Sequence, residues 1–422
     1  MPRFIHAADL HLDSPLRGLE RYEGAPVDRI RSATRRALNR LVDTAIQESI
    51  DFLVIAGDVY DGDWQDHNTG LHFIAQMQKL VDHEIPVVMI RGNHDAANRM
   101  TRSLSLPEGV HLLGIDKPET VVLDDLGVAI HGQSFGTAAE SRNLVQQYPD
   151  SEPGLFNLGL LHTSLTGGEG HDNYAPCTPA DLASRGYHYW ALGHIHRRDD
   201  QTYRDPAIVF PGNLQGRHAR ETGPKGAVLV ETKGDSVESI EFKPLDVLRW
   251  ERCRVETQGL EDGDDLLRKV DEALRELLTL NDPLPLAVRV EIDGPCSFHR
   301  ELVADIDHWR QEVRARGIQV DAERLWIEKV RVTTRLPQKA VFSDRDEGPL
   351  EELWGRLAQL QGSDKDWGAT VQELEALQKK LPPAVAKRVS EIIQGDDETR
   401  RTFLQSVQSR LEGRLFDVEG DE

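Results

Sequence analysis

Phe4-Ile5-His6-Ala7-Ala8-Asp9-Leu10-His11 decides how this chain is read, because a short apolar run ends in an Asp and a His two positions apart. Such a run, bounded by polar residues, reads as a buried strand. In extended chain, positions i and i+2 face the same side, so the Asp9 and His11 side chains can reach one metal ion. The same pattern recurs downstream. Phe52-Leu53-Val54-Ile55-Ala56 runs into Gly57-Asp58, and Val87-Val88-Met89-Ile90 is followed by Gly92-Asn93-His94-Asp95. Leu158-Gly159-Leu160-Leu161 ends at His162, and Tyr189-Trp190-Ala191-Leu192 at Gly193-His194-Ile195-His196.

Two more apolar runs, Ala207 to Phe210 and Ala227 to Val230, also read as buried strands. Between the first two strands, Ile30, Ala33, Ala37, Leu38, Leu41, Val42, Ala45 and Ile46 fall on one face of an amphipathic helix. Strand, helix, strand implies a layered α/β domain. In that architecture ligands collect at the carboxyl edge of the strands, where these polar residues lie.

Each motif alone has a plain alternative. Asp-x-His and Gly-Asp both occur in ordinary turns, Asn-His-Asp can cap a following helix, and Gly-His-x-His can be a surface loop. All five together, each after a separate strand, point to a metal centre. The mixture of carboxylate, amide and imidazole suits Mn2+, Fe2+ or Zn2+ better than Ca2+ or an all-thiolate site. Two such ions about 3.5 to 4 Å apart can clamp a phosphoryl group during in-line displacement. Asp58 is the candidate for a carboxylate shared between them.

The composition fits an ordinary globular protein. At 422 residues the chain has room for about two to three domains, with 39% hydrophobic residues to fill their cores. No signal peptide and no membrane-length apolar run is expected. Cys177, Cys253 and Cys296 are widely spaced and form no Cys-x-x-Cys pair, which points to a reducing, cytoplasmic setting. The net charge of −22 is unusual for a dedicated nucleic-acid binder. A polyanionic substrate would therefore depend on metals and local basic residues.

After the catalytic segment, assigned to residues 1–240, the texture changes. Trp250 to Val255, Leu286 to Ile292 and Leu325 to Val332 alternate as half-exposed strands, with helical stretches at Leu266 to Leu280 and Phe298 to Ala315. A small α+β domain is expected over 246–336. A charged helical region follows over 337–422, with apolar stripes at Leu350, Leu353, Trp354, Leu357 and Leu360, and at Phe403, Leu404, Val407 and Leu411.

The motifs D-x-H, G-D, G-N-H-[DE], H and G-H-x-H resemble those of the calcineurin-like metallophosphoesterase superfamily over residues 1 to about 230. The resemblance implies a β-sandwich flanked by helices. It also implies two divalent metal ions, Mn2+ foremost. Asp9, His11, Asp58 and His196 would hold one, and Asp58, Asn93, His162 and His194 the other. His94 would be the catalytic histidine, with Asp95 orienting its ring or capping the helix. Phe210-Pro211-Gly212-Asn213-Leu214-Gln215-Gly216-Arg217 resembles the Pro-Gly-Ser motif of DNA repair exonucleases of the SbcD type, and Ala7 to Pro15 resembles the bacterial YhaO branch of that group.

This resemblance implies a Mn2+-dependent DNA exonuclease, or endonuclease, in a repair complex. The α+β domain would cap the site. The C-terminal helices would dock on an ABC-type ATPase, SbcC-like or YhaN-like, and the catalytic domain could form a homodimer. Arg17, Arg99 and Arg217, with Arg102 and Arg220, are candidate phosphate contacts. Two departures stand out. Asp61 occupies the place of a second active-site His found in archaeal and eukaryotic relatives, and Asp13 replaces a usual Gly. Asp13 is read as a salt-bridged or capping residue. The competing functions are a phosphodiesterase for small substrates, which the acidic charge favours, and a regulatory or scaffold subunit of an ATPase.

Overall fold

The computed structural model describes residues 2–14, 26–61, 67–97, 105–165, 174–199, 206–337 and 364–396, with scattered positions at 353–360 and 399–411. Two β-sheets form the heart of the N-terminal part. In the first, β1 (Arg3–Ala7), β2 (Phe52–Ala56), β3 (Val87–Ile90) and β4 (Val110–Leu112) run parallel. Beside β1 lie the antiparallel β10 (Gly226–Lys233) and β11 (Ser236–Pro244), giving the order β11-β10-β1-β2-β3-β4. The second sheet has the order β5 (Glu119–Leu123), β6 (Val128–Gly132), β7 (Phe156–His162), β8 (Tyr189–Gly193) and β9 (Ala207–Val209). All of its pairings are parallel except that of β5 with β6.

The central strands β1, β2, β3, β7 and β8 are mostly apolar because they are covered on both faces. Phe4, Phe52, Val54, Val88 and Ile90 of the first sheet meet Ile130, Leu158, Leu160, Tyr189 and Ala191 of the second in a core between the sheets. Phe4 stacks on Phe52 at 4.8 Å and meets Tyr189 edge-on at 5.3 Å. The alternate residues Ile5, Leu53, Ile55 and Met89 face helices α2 (Ala33–Gln47) and α3 (His67–Val81) through Leu38, Leu41, Phe73 and Met77. After β3 comes the short helix α4 (Asn93–Ala97). On the far side of the second sheet, Trp190 and Leu192 pack against Tyr148 and against Leu182 of α5 (Pro179–Ala183). The fold is thus a β-sandwich flanked by helices, as the resemblance implies.

Several details differ from the sequence reading, among them the unforeseen strand β11. The single helix expected around Ile30 to Ile46 is split at Ser32, with the short α1 (Val27–Arg31) ahead of α2. No strand is expected between the third and fourth motifs, yet β4, β5 and β6 lie there. They escape periodicity because β4 has three residues, β5 is largely exposed, and β6 carries the buried polar His131.

The chain divides into two compact units, one of residues 1–252, 278–289 and 323–328 and one of residues 253–277, 290–322 and 329–422. The three strands β12 (Arg249–Glu256), β13 (Leu286–Pro295) and β14 (Leu325–Arg335) form a sheet in that order. Helix α6 (Gly263–Leu280) joins the first two. The helix expected from Phe298 to Ala315 is in fact two, α7 (His299–Ala304) and α8 (Ile306–Asp321), with Asp305 capping α8 by accepting the His308 N–H at 3.0 Å. Farther on, α9 (Asp364–Gln378) and α10 (Pro383–Ile393) are tied by Gln378 Nε2 donating to the Ala386 carbonyl at 3.1 Å. Trp367 packs edge-on to Phe403 and lies under the Arg400 guanidinium. Leu350 and Trp354 of the expected stripes lie outside the described residues. No helix among the described residues is long and apolar enough to cross a membrane.

Candidate metal centre

Parallel pairing brings the carboxyl ends of β1, β2 and β3 to one edge, and the second sheet does the same for β7 and β8. Asp9, His11, Asp58, Asn93, His162, His194 and His196 follow those ends. The turns that carry them are stitched together. Asp9 N–H donates to the Gly57 carbonyl at 3.1 Å, and His11 N–H to the Asp58 carbonyl at 3.0 Å. The His194 N–H reaches the Asp9 carboxylate at 3.0 Å, and the His94 N–H reaches Asp58 Oδ1 at 2.9 Å. His162 Nδ1 bonds the Ala56 carbonyl at 2.9 Å.

Four of these residues hold a left-handed backbone: Asp9 at φ 51°, His11 at 44°, Asp58 at 53° and His194 at 95°. Such conformations cost about 1–3 kcal/mol each and persist where the surroundings impose them. Here they turn the side chains inward at the strand ends. Gly57, at φ 89°, has no room for a side chain, since a Cβ would lie 2.7 Å from His162 Nδ1 and 2.9 Å from Gly92 N.

The donor atoms converge. His11 Nε2 lies 3.0 Å from His196 Nε2 and 3.9 Å from Asp58 Oδ2. His162 Nε2 lies 3.4 Å from Asp58 Oδ2 and 3.0 Å from Asn93 Oδ1. Among the described residues, three sets of ligand atoms fall within 4.8 Å of one another: Asp9, His11 and His196; Asp9, Asp58 and His162; and His11, Asp58 and His94. Asp9, His11 and Asp58 each belong to two sets. His194 meets them through its backbone N–H on Asp9 and through its ring, whose centroid lies 5.2 Å from that of His162.

This set fits divalent cations on its own chemistry. Two imidazole Nε2 atoms 3.0 Å apart cannot both present lone pairs to each other unless a proton or cation lies between them. Buried carboxylates need positive charge nearby. Burial pushes the Asp9 carboxyl up to about 6, whereas His162 and His94 offset the burial of Asp58 and hold its carboxyl low. Despite its burial, His162 keeps a proton up to about 9 beside Asp58 and Asp9. The pocket thus retains a positive charge that bound cations would supply instead.

His94 stands at the mouth of the cluster with its side chain 38% exposed, and its Nδ1 lies 2.9 Å from Asp61 Oδ1. That contact raises the imidazole above its usual range. Despite burial, the His94 and Ser14 hydrogen bonds and the nearby Arg217 hold the Asp61 carboxyl down at about 2. The ring-orienting carboxylate is therefore Asp61 and not Asp95. Asp95 is buried and accepts the backbone N–H groups of Val59 at 3.2 Å, Tyr60 at 3.0 Å and Gly92 at 3.1 Å. Through Gly92 it caps the start of the helix Asn93–Ala97, the alternative left open for it, and through Val59 and Tyr60 it also holds the loop after Asp58. Asp13 pairs with Arg35 at 2.8 Å, the salt-bridged role expected of it.

Of the proposed phosphate contacts, Arg17, Arg99 and Arg102 lie outside the described residues. Arg220 is exposed. Arg217 is directed inward, with NH1 on Asp61 Oδ2 at 3.0 Å and NH2 on Glu221 Oε1 at 3.1 Å. Glu221, which accepts from His196 Nδ1 at 2.9 Å, was not legible in the sequence. Nothing in a lone Glu on a loop signals a contact with a residue 25 positions back.

Comparison with known proteins agrees with this geometry. Residues 2–198 match the model of the calcineurin-like phosphoesterases, and residues 250–335 match that of the middle domain of the metallophosphoesterase YhaO. Over 295 residues the chain is 36% identical to YhaO of Bacillus subtilis, covering 69% of this chain and 71% of that protein. It is 23% identical over 317 residues to the DNA double-strand break repair protein Mre11 of Sulfolobus acidocaldarius, covering 71% of this chain and 77% of that one. To the protein of the same name from Aeropyrum pernix it is 28% identical over 298 residues, covering 66% and 68%. The chain belongs to the calcineurin-like metallophosphoesterase family.

Proposed function

We propose that this protein is a two-metal phosphodiesterase acting on DNA, with Mn2+ as its preferred ion. The observation that carries the reading is the convergence of buried Asp and His donors beneath one accessible imidazole, that of His94. Asp9, His11, Asp58 and His196 would hold one ion, and Asp58, Asn93, His162 and His194 the other. Ions bound there would supply positive charge against the phosphoryl oxygens and would lower the pKa of bound water. Asp61 holds His94 by Nδ1, which leaves Nε2 to give a proton to the departing oxygen. DNA as the substrate is supported by the similarity to the Mre11 repair proteins. From the resemblance to SbcD-type nucleases noted in the sequence, the C-terminal helices, α9 and α10 among them, are proposed to dock on an ABC-type ATPase.

The test is release of nucleotides from end-labelled linear duplex DNA by metal-stripped protein after Mn2+ is added, with His94→Ala in parallel. Mn2+-dependent release that disappears in the variant supports the reading. Cleavage of bis-p-nitrophenyl phosphate with intact DNA would overturn the substrate and leave a small-substrate phosphodiesterase. Cleavage of neither would overturn the hydrolase.

A further inference from the structure

We propose that Arg217 and Glu221 form a brace that sets the tautomer of His196 for metal binding and ties it to the Asp61–His94 pair. Arg217 is on this view a positioning residue and not a phosphate clamp. The inference rests on the metal reading above.

The two nitrogens of His196 have different surroundings. Nε2 faces His11 Nε2 at 3.0 Å, inside the donor cluster, while Nδ1 faces Glu221 Oε1 at 2.9 Å. A carboxylate accepts and cannot donate, so the proton of a neutral ring sits on Nδ1 and the Nε2 lone pair points into the cluster. Carboxylates in this position fix ring orientation and raise the basicity of a metal-binding imidazole. Glu221 is itself immobilised. Its Oε2 accepts from Asn213 Nδ2 at 3.0 Å and from the Arg217 backbone N–H at 2.8 Å, and its side chain is only 6% exposed.

Arg217 links this arrangement to the catalytic histidine. One terminal nitrogen donates to Glu221 Oε1 and the other to Asp61 Oδ2, while Asp61 Oδ1 meets His94 Nδ1. The NH2 group also lies 3.2 Å from His196 Nδ1, and as fellow donors the two share Glu221 Oε1. Asp61 Oδ1 is 3.8 Å from His11 Nδ1, an atom with no hydrogen-bond partner. One guanidinium therefore balances the two carboxylates that stand behind His196, His11 and His94. A phosphate clamp needs its fork open to solvent, but this side chain is 12% exposed and both terminal nitrogens are committed. Removing it would leave the buried Glu221 and the half-buried Asp61 without this shared counter-charge.

The test uses the full chain, stripped of metal and titrated with Mn2+ by calorimetry and by electron paramagnetic resonance. Wild type is compared with Glu221→Ala, Glu221→Gln, Arg217→Ala and the Arg217→Ala/Glu221→Ala double variant, with thermal unfolding as a control. Glu221→Ala should weaken Mn2+ binding about ten- to a hundredfold. Glu221→Gln, which keeps an acceptor oxygen, should weaken it less. The double variant should fall short of the product of the single losses, because the two side chains act as one unit. In the metal-free wild type, the 15N shifts of labelled histidine should show His196 protonated at Nδ1, a readout that requires no variant to fold.

Unchanged Mn2+ affinity in Glu221→Ala, or a His196 proton on Nε2, would overturn the brace while leaving the metal centre standing. Arg217→Ala raising KM for bis-p-nitrophenyl phosphate with Mn2+ affinity intact would restore the clamp. A wild type that binds no Mn2+ would overturn the metal reading and the brace with it.

Discussion

His6 lies on β1 three residues before Asp9 and is wholly buried. Its Nδ1 is 3.0 Å from the Tyr189 hydroxyl and its Nε2 is 3.2 Å from the Leu192 carbonyl, both on β8. It thereby ties the strand that delivers Asp9 to the strand that delivers His194 and His196. A neutral ring satisfies both contacts, accepting from Tyr189 at Nδ1 and donating to Leu192 from Nε2. Burial lowers its pKa to about 3, whereas the unfolded chain protonates near 6.5. Because the folded value is the lower one, the unfolded state binds the extra proton as the pH falls. Stability is therefore untouched above about pH 6.5 and is lost between there and about pH 3, at roughly 1.4 kcal/mol per unit. At pH 5 the loss is about 2 kcal/mol. His6→Gln retains a donor and an acceptor but does not titrate in this range. Urea unfolding of metal-free protein at pH 7 and pH 5 should show wild type losing about 2 kcal/mol more than His6→Gln. Equal losses in the two proteins would refute the claim that His6 stays neutral in the core.

Three further outcomes follow from the site. Gly57→Ala should destabilise the protein by about 2 kcal/mol or more, about 1–2 of it from the left-handed backbone and the rest from the clash with His162; a change under about 0.5 kcal/mol in urea unfolding would refute this. Asp95→Ala leaves three backbone N–H groups without their acceptor, so equilibrium unfolding should register a loss of about 3 kcal/mol, and a neutral result would mean that the loop does not depend on this carboxylate. Asp61→Asn takes the negative charge from behind His94, and kcat on bis-p-nitrophenyl phosphate should drop about a hundredfold; retention within threefold would remove Asp61 from the mechanism.

The sequence by itself determined where donors can be placed. Strand-length apolar runs ending in Asp9, Asp58, Asn93, His162 and His194 specify the ligand types and their position at strand ends, because burial on both faces enforces continuous hydrophobicity in parallel strands. Local periodicity likewise marked the α2 face from Ala33 to Ala45. β4, β5 and β6 were not legible, being too short, too exposed or too polar for a periodic signal. What only the tertiary structure decided is which side chain answers which. In the sequence Asp95, beside His94, is the carboxylate offered for orienting its ring, yet it is Asp61 that reaches the ring, while Asp95 turns to backbone N–H groups. Glu221 acquires its role through a loop that folds back on His196, and Arg217 turns inward because two carboxylates await it there. Periodicity reports only the local direction of the chain, whereas these pairings depend on how two sheets and their loops pack across large separations in sequence.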